Sequence, residues 1–143
     1  MRRLRRVFWW FAAGVWLQVL YLWIFGTGPD PRFFELASAT PVIAFAALAV
    51  LAPLFEEIAF RGVVWRIQQA IMPERHIPLS NALFFALVHA PDTSPIYGLL
   101  IVPPAWLICR GRAQEGFLAG TMAHIGFNMP QAVVQISYAK GLL

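Results

Sequence analysis

The chain has 143 residues, 59% of them hydrophobic and only 13% charged, with a mean hydropathy of +0.64; that charge fraction is about half the average for soluble domains, so lipid is the expected solvent. A single cysteine, Cys109, excludes an intrachain disulfide framework and reads as a packed thiol. The net charge of +4 and pI near 10.0 do not point to nucleic acid, because the arginines stand mostly at the ends of apolar runs, where they act as topology signals.

Arg2, Arg3, Arg5 and Arg6 precede an apolar stretch from Val7 to Phe25 whose one strongly polar side chain is Gln18. At about 1.5 Å per residue this stretch matches the hydrocarbon thickness. Its core is longer than that of a secretory signal and lacks a clear small-x-small cleavage site, so a retained span with its basic end inside is expected. Residues 26–31 form a turn by composition, and residues 32–35 lead into the next run.

That second run, about 36–65, contains Pro41 and Pro53 and carries Glu56, Glu57 and Arg61. It becomes amphipathic through Arg66, Gln68 and Gln69 and stops near 73–76, which reads as one long helix leaving the membrane on the cytoplasmic side. A short third span covers about 78–90 and ends in a turn at 91–95. The fourth, about 96–109, holds Pro103 and Pro104, should kink there, and is closed by Arg110-Gly111-Arg112. The fifth runs from about 113 to 136 and is interrupted near Pro130.

The expected fold is therefore all-α: a polytopic transmembrane helical bundle of about five spans, one domain over 1–143, with a functional core at about 37–136 and an additional N-terminal span at about 7–25. In this topology Arg2, Arg3, Arg5, Arg6, Arg66, Arg75, Arg110 and Arg112 face the cytoplasm, with the N-terminus, while Arg32 and Lys140 lie outside.

Ionisable groups inside a bilayer are functional candidates because each costs a few kcal/mol to insert. Here they are Glu56, Glu57, Arg61, His89 and His124, with Asn128 as a polar neighbour. Glu57 and Arg61 are four apart on one helical face and can neutralise each other. Glu56 is rotated by about 100° from Glu57, so it is left over from that pair and available for chemistry. His124 and Asn128, and likewise Phe85 and His89, repeat the four-residue spacing on other spans.

Depth agrees with this grouping. His89 and His124 each lie about 18 Å from a cytoplasmic boundary and Glu56 about 15 Å, so three spans bring polar groups to one level. Any one His or Asn most often only bridges helices through a hydrogen bond, and His76, in a Pro-flanked loop, carries no functional signal. The set with an unpaired carboxylate reads as a site. Glu56 and His89 can hold and deprotonate a water, and His124 with Asn128 can donate to the oxyanion formed on a peptide carbonyl.

Two His and one Glu also form a zinc ligand set, but no His-Glu-x-x-His segment is present and the ligands come from three helices, so zinc ranks second. Ser38, Ser80, Ser94 and Ser137 lie away from the polar level and outside any Gly-x-Ser-x-Gly context, which disfavours a serine mechanism.

Glu56-Glu57-Ile58-Ala59-Phe60-Arg61, then Phe85-Ala86-Leu87-Val88-His89, then His124-Ile125-Gly126-Phe127-Asn128 resemble, in order and spacing, the motifs of the CAAX-protease and bacteriocin-processing family of intramembrane endopeptidases, which includes the Ras-converting CAAX endopeptidases. The resemblance covers about 53–130. It implies Glu56 as the catalytic glutamate, His89 as its partner on the water, and His124 with Asn128 as the oxyanion site, supported by Glu57, Arg61 and Phe85. It also implies a metal-free glutamate mechanism with no cofactor.

The family's usual members have more spans, and the small bacterial ones resemble C-terminal sorting proteases. The implied partners are thus the lipid bilayer and a peptide or protein substrate with a membrane segment, and the implied location is a bacterial inner membrane. The alternatives are a non-catalytic bacteriocin-immunity or membrane interaction protein and an ion pathway built from the same groups. Five spans without an internal repeat fit a transporter poorly.

Overall fold

The computed structural model describes residues 2–26, 28–90 and 95–143. Among them every regular element is helical. Helix α1 spans Arg2–Phe25. Helix α2, Pro31–Ala39, starts with Pro at its first position and is capped by Asp30, whose carboxylate accepts from the Arg32 backbone N–H. A long helix α3 runs from Pro41 to Ile71. After a 3₁₀ turn at Glu74–His76 come α4, Ile77–His89, α5, Pro95–Glu115, and α6, Phe117–Ala139.

The burial pattern is that of a protein solvated by lipid. Trp16, Trp23, Val42 and Ile96 are exposed, whereas Gln18, Glu57, Arg61, Gln68, Asn81 and His124 are buried. In water this distribution would be inverted. Lipid rewards it, because apolar side chains are at home outside and polar groups need partners inside. The stretches Leu4–Phe25 and Pro41–Ile71 are long and apolar enough to cross a membrane. The protein is an all-α membrane protein.

Where helices touch, small residues let backbones approach. A Cβ on Gly14 of α1 would stand 2.1 Å from the Ala123 carbonyl oxygen, and one on Gly126 of α6 would stand 2.3 Å from that of Phe11. The first helix is therefore keyed to α6, the helix of His124 and Asn128, by a contact that no larger residue permits. Arg6 pairs with Glu115 at 3.0 Å, and the Lys140 ammonium donates to the Ser38 carbonyl at 2.7 Å. The first contact places the start of α1 beside the end of α5, and the second joins the ends of α6 and α2 at the opposite pole.

Several boundaries differ from the sequence reading. The second run does not start as one helix: it breaks at Thr40, because a residue before proline is driven out of the helical region, and Thr40 has φ −137° and ψ 73°. Helix α5 does not end at Arg110-Gly111-Arg112 but continues to Glu115, and Gly116, with φ 93°, makes the turn into α6. It also passes through Pro103 and Pro104 as one helix. Pro104 has no N–H to give the Leu100 carbonyl, and the Tyr21 hydroxyl donates to that oxygen instead at 2.9 Å. Helix α6 is likewise continuous through Pro130. The turn expected at 91–95 lies, apart from Pro95, outside the described residues, as does Thr27 of the turn at 26–31.

The long helix has a feature that periodicity did not reveal: it widens to π geometry at Ala47–Leu51 and Glu57–Val64. In the first segment the Ala52 N–H reaches five residues back to the Ala47 carbonyl. The next donor in that register is Pro53, which has none, so the Leu48 carbonyl is orphaned. Asn128 of α6 donates to it at 3.2 Å. In the second segment the Phe60 carbonyl accepts from the Asn81 side chain of α4 at 2.9 Å.

Candidate active site

Three helices converge on the two glutamates. Glu57 and Arg61 face inward, with both side chains fully buried and 3.2 Å between Oε1 and Nη1. Arg61 also donates to the Ala105 carbonyl of α5 at 3.4 Å, and its guanidinium lies 4.6 Å from the centre of the Phe85 ring. His124 reaches the same Glu57 oxygen with Nδ1 at 2.9 Å. A carboxylate paired with arginine only accepts, so Nδ1 carries a hydrogen. Glu57 Oε2 has no hydrogen-bond partner among the described residues and packs at Gly120, where a Cβ would be 3.3 Å from it.

Glu56 points to another face, as one residue of helical rotation requires, and opens on a cavity of about 230 Å³. Its Oε2 is 3.4 Å from His124 Nε2 and its Oε1 is 4.0 Å from His89 Nε2. Each carboxylate oxygen thus has one imidazole beside it. His89 is oriented from behind: its Nδ1 donates to the Phe85 carbonyl at 2.8 Å, and its ring stacks on Phe85 with centroids 4.2 Å apart. Phe85 meets His124 edge-on as well, at 5.9 Å. One phenyl ring therefore holds Arg61, His89 and His124 in place.

Asn128 lines the same cavity, one turn beyond His124. One of its two amide hydrogens is engaged by the Leu48 carbonyl, which leaves the other for a ligand. The structure thus gathers Glu56, His89, His124 and Asn128 around one space, which Phe85 also lines, and sets Glu57 and Arg61 behind them.

The sequence reading missed two contributors. Arg32 of α2 lines the cavity and forms a two-point pair with Asp30, at 3.0 Å and 2.8 Å; nothing in its local sequence marked it. Outside the membrane-spanning helices, the Asp30 carboxyl is held below its ordinary range, chiefly by the Arg32 side-chain hydrogen bond. The second is a buried network in which Asn81 donates to Gln68, and Gln68 to Ser80, at 2.9 Å and 3.0 Å. Asn81, as a polar residue in an apolar run, carried the signal that would have flagged it, whereas Gln68 reads as part of an amphipathic end. Among the described residues, no group of three or more His, Cys, Asp or Glu side chains is placed to hold a metal ion together.

An all-α membrane protein with adjacent glutamates and two histidines meeting at one cavity is the kind of molecule in which an intramembrane hydrolase is sought. The family model for type II CAAX prenyl endopeptidase, Rce1-like, matches residues 38–130, and the chain belongs to this protease family. The match takes in Glu56, His89, His124 and Asn128 and leaves α1 and most of α2 outside. No curated protein and no solved structure matches the chain.

Proposed function

We propose that the protein is a glutamate-dependent intramembrane endopeptidase, which hydrolyses a peptide bond in or beside the membrane segment of a substrate such as a C-terminal sorting tail. The observation that carries this reading is the half-open Glu56 carboxylate, flanked by an imidazole on each oxygen while Glu57 takes the structural ion pair. Family membership supports the protease class.

In this mechanism a water donates one hydrogen to Glu56 Oε1 and the other to His89 Nε2. Two acceptors 4.0 Å apart are spaced as the two hydrogens of one water require. His89 Nε2 is an acceptor because the ring hydrogen sits on Nδ1 toward Phe85. The water oxygen attacks the peptide carbonyl carbon as its proton passes to Glu56. Asn128, with its second amide hydrogen, and His124, with Nε2–H when it is an imidazolium, donate to the oxyanion. Glu56 then passes the proton to the leaving nitrogen, the C–N bond breaks, and a carboxylic acid and an amine result.

The charges suit this assignment. Two carboxylates and one guanidinium stand together here, with the His124 ring between Glu56 and Glu57. No metal takes part in the steps.

The proposed setting is a bacterial inner membrane, crossed about five times by α1, α3, α4, α5 and α6, with the N-terminus cytoplasmic. The Arg6–Glu115 contact supports the grouping of the basic ends on one side. Helix α4, with 13 residues, is short for a crossing and is sheltered by α3 and α5.

The test is cleavage of tail-anchored candidates from the same genome, co-expressed with wild type or Glu56→Ala, with and without a chelator. Cleavage lost in Glu56→Ala and indifferent to chelator is expected. Chelator-sensitive cleavage would hand the site to zinc, and a folded wild type that cuts no candidate would favour an immunity or interaction role.

A further inference from the structure

A second cavity, of about 550 Å³, lies between α1, α5 and α6. Its volume falls within the roughly 300–1,000 Å³ of built ligand sites. It is continuous with the Glu56 cavity in the sense that Ile101, Pro104, Phe127 and Asn128 line both. Its walls are mainly apolar, and of the polar residues among them, Gln18, Tyr21, Asn128 and Gln131, the first carries an unmet group. Gln18 of α1, 7% exposed, donates through Nε2 to Gln131 at 3.2 Å, but its Oε1 is buried with no hydrogen-bond partner among the described residues. An unmet buried acceptor is destabilising, and a donor that reaches it relieves that cost.

Resting on the protease reading, we propose that this cavity receives the unwound apolar segment of the substrate beside the scissile bond, and that the Gln18 side chain, which lines the cavity, turns its buried Oε1 to accept a backbone N–H from that segment. The two requirements are complementary. A membrane segment must be extended near the bond being cut, so its N–H groups lose their intrahelical acceptors in a place where water is scarce. Gln18 supplies an acceptor that has no donor. A lipid acyl chain fits the apolar walls but brings no donor and leaves Oε1 unmet. Gln18 lies on α1, outside the stretch matched by the family model, so this specificity contact belongs to the chain's own first helix.

The probe is a Leu-rich transmembrane peptide with lysine flanks and a central Gly-Pro break, reconstituted with the full-length protein in liposomes. In the cleavage arm, its backbone amides next to the break are replaced one at a time by esters, which removes a single N–H. For wild type, one ester position raises KM about fivefold, the worth of one net hydrogen bond of about 1 kcal/mol. The same ester leaves KM unchanged for Gln18→Met, which itself raises KM about fivefold with the amide peptide.

Because each protein serves as its own control, partial misfolding of the variant does not imitate this cycle. Equal ester effects in the two proteins at every position overturn the proposal. In the second arm, a photoreactive phenylalanine analogue replaces Leu100 in Glu56→Gln protein, so the readout does not depend on turnover. Crosslinking to the peptide from position 100, and not from the exposed position 87 on α4, supports the cavity assignment even if no peptide is cut and the protease reading fails. Absence of that crosslink while wild type does cut the peptide overturns the assignment and leaves the protease reading standing.

Discussion

Glu56 and Glu57 are neighbours in the chain and opposites in their surroundings. Glu57 is sealed, with one oxygen shared by Arg61 and His124 and the other packed at Gly120. Glu56 is half-buried, faces a cavity, and has imidazoles at 3.4 Å and 4.0 Å rather than a committed partner. A rotation of about 100° separates a charge that holds three helices together from one that is available to a substrate. The Glu-Glu pair therefore makes the site and fixes its shape in one turn of helix, and His124, touching both, links the two functions.

The largest effect is expected from Glu56→Gln. It keeps the shape and removes the proposed base, and cleavage should fall about 10³- to 10⁴-fold while thermal unfolding in detergent is little changed. Glu57→Ala should do the reverse. It leaves the Arg61 charge buried without its carboxylate, and unfolding should show a loss of about 3–5 kcal/mol. Replacing both partners, with Glu57→Leu and Arg61→Met together, should recover most of that stability, since a buried pair is often matched by well-packed apolar residues. If the double variant is no better than the single one, the pair is not what Glu57 contributes.

Asn128→Ala sits between the two cases, because Asn128 both lines the cavity and satisfies the carbonyl orphaned by Pro53. Cleavage should drop about 10²-fold, as for loss of an oxyanion donor, with about 1–3 kcal/mol of stability lost as well. Substituting Ala at Pro53 in that background should return part of the stability and none of the activity.

The smallest effect is expected outside the membrane. Asp30→Ala removes the α2 cap at a cost of about 1 kcal/mol in thermal unfolding. The Asp30 carboxyl is depressed by Arg32, so its contribution is present above the ordinary carboxylate range and is lost as pH falls through its lowered value. Acid should erase the difference between Asp30→Ala and wild type.

The grouping of polar residues was legible because four-residue spacings and depth along a helix are properties of sequence alone. Glu57 and Arg61 meet as their spacing requires, and Glu56 diverges as rotation requires. What was not legible depends on neighbours. The kink expected at Pro103 and Pro104 and the interruption expected near Pro130 fall inside continuous helices, and at Leu100 the freed carbonyl is met by a hydroxyl from Tyr21, far away in sequence. The π segments escaped because their five-residue hydrogen bonds leave no mark in apolar periodicity. Gln18 was visible as a polar residue in an apolar span, but only the α1–α6 contact places it on a cavity wall. The break before Pro41 was available in principle, since the residue before proline resists helix.

The most direct test of the division between the two glutamates is cleavage of one tail by purified wild type, Glu56→Gln and Glu57→Gln in proteoliposomes, each rate divided by the folded fraction measured in the same sample. Fully folded Glu56→Gln should cut at least about 10³-fold more slowly than wild type, and Glu57→Gln should keep a rate per folded molecule within about tenfold of it. Near-normal cleavage by Glu56→Gln, or a fully folded Glu57→Gln that cuts nothing, would contradict that division.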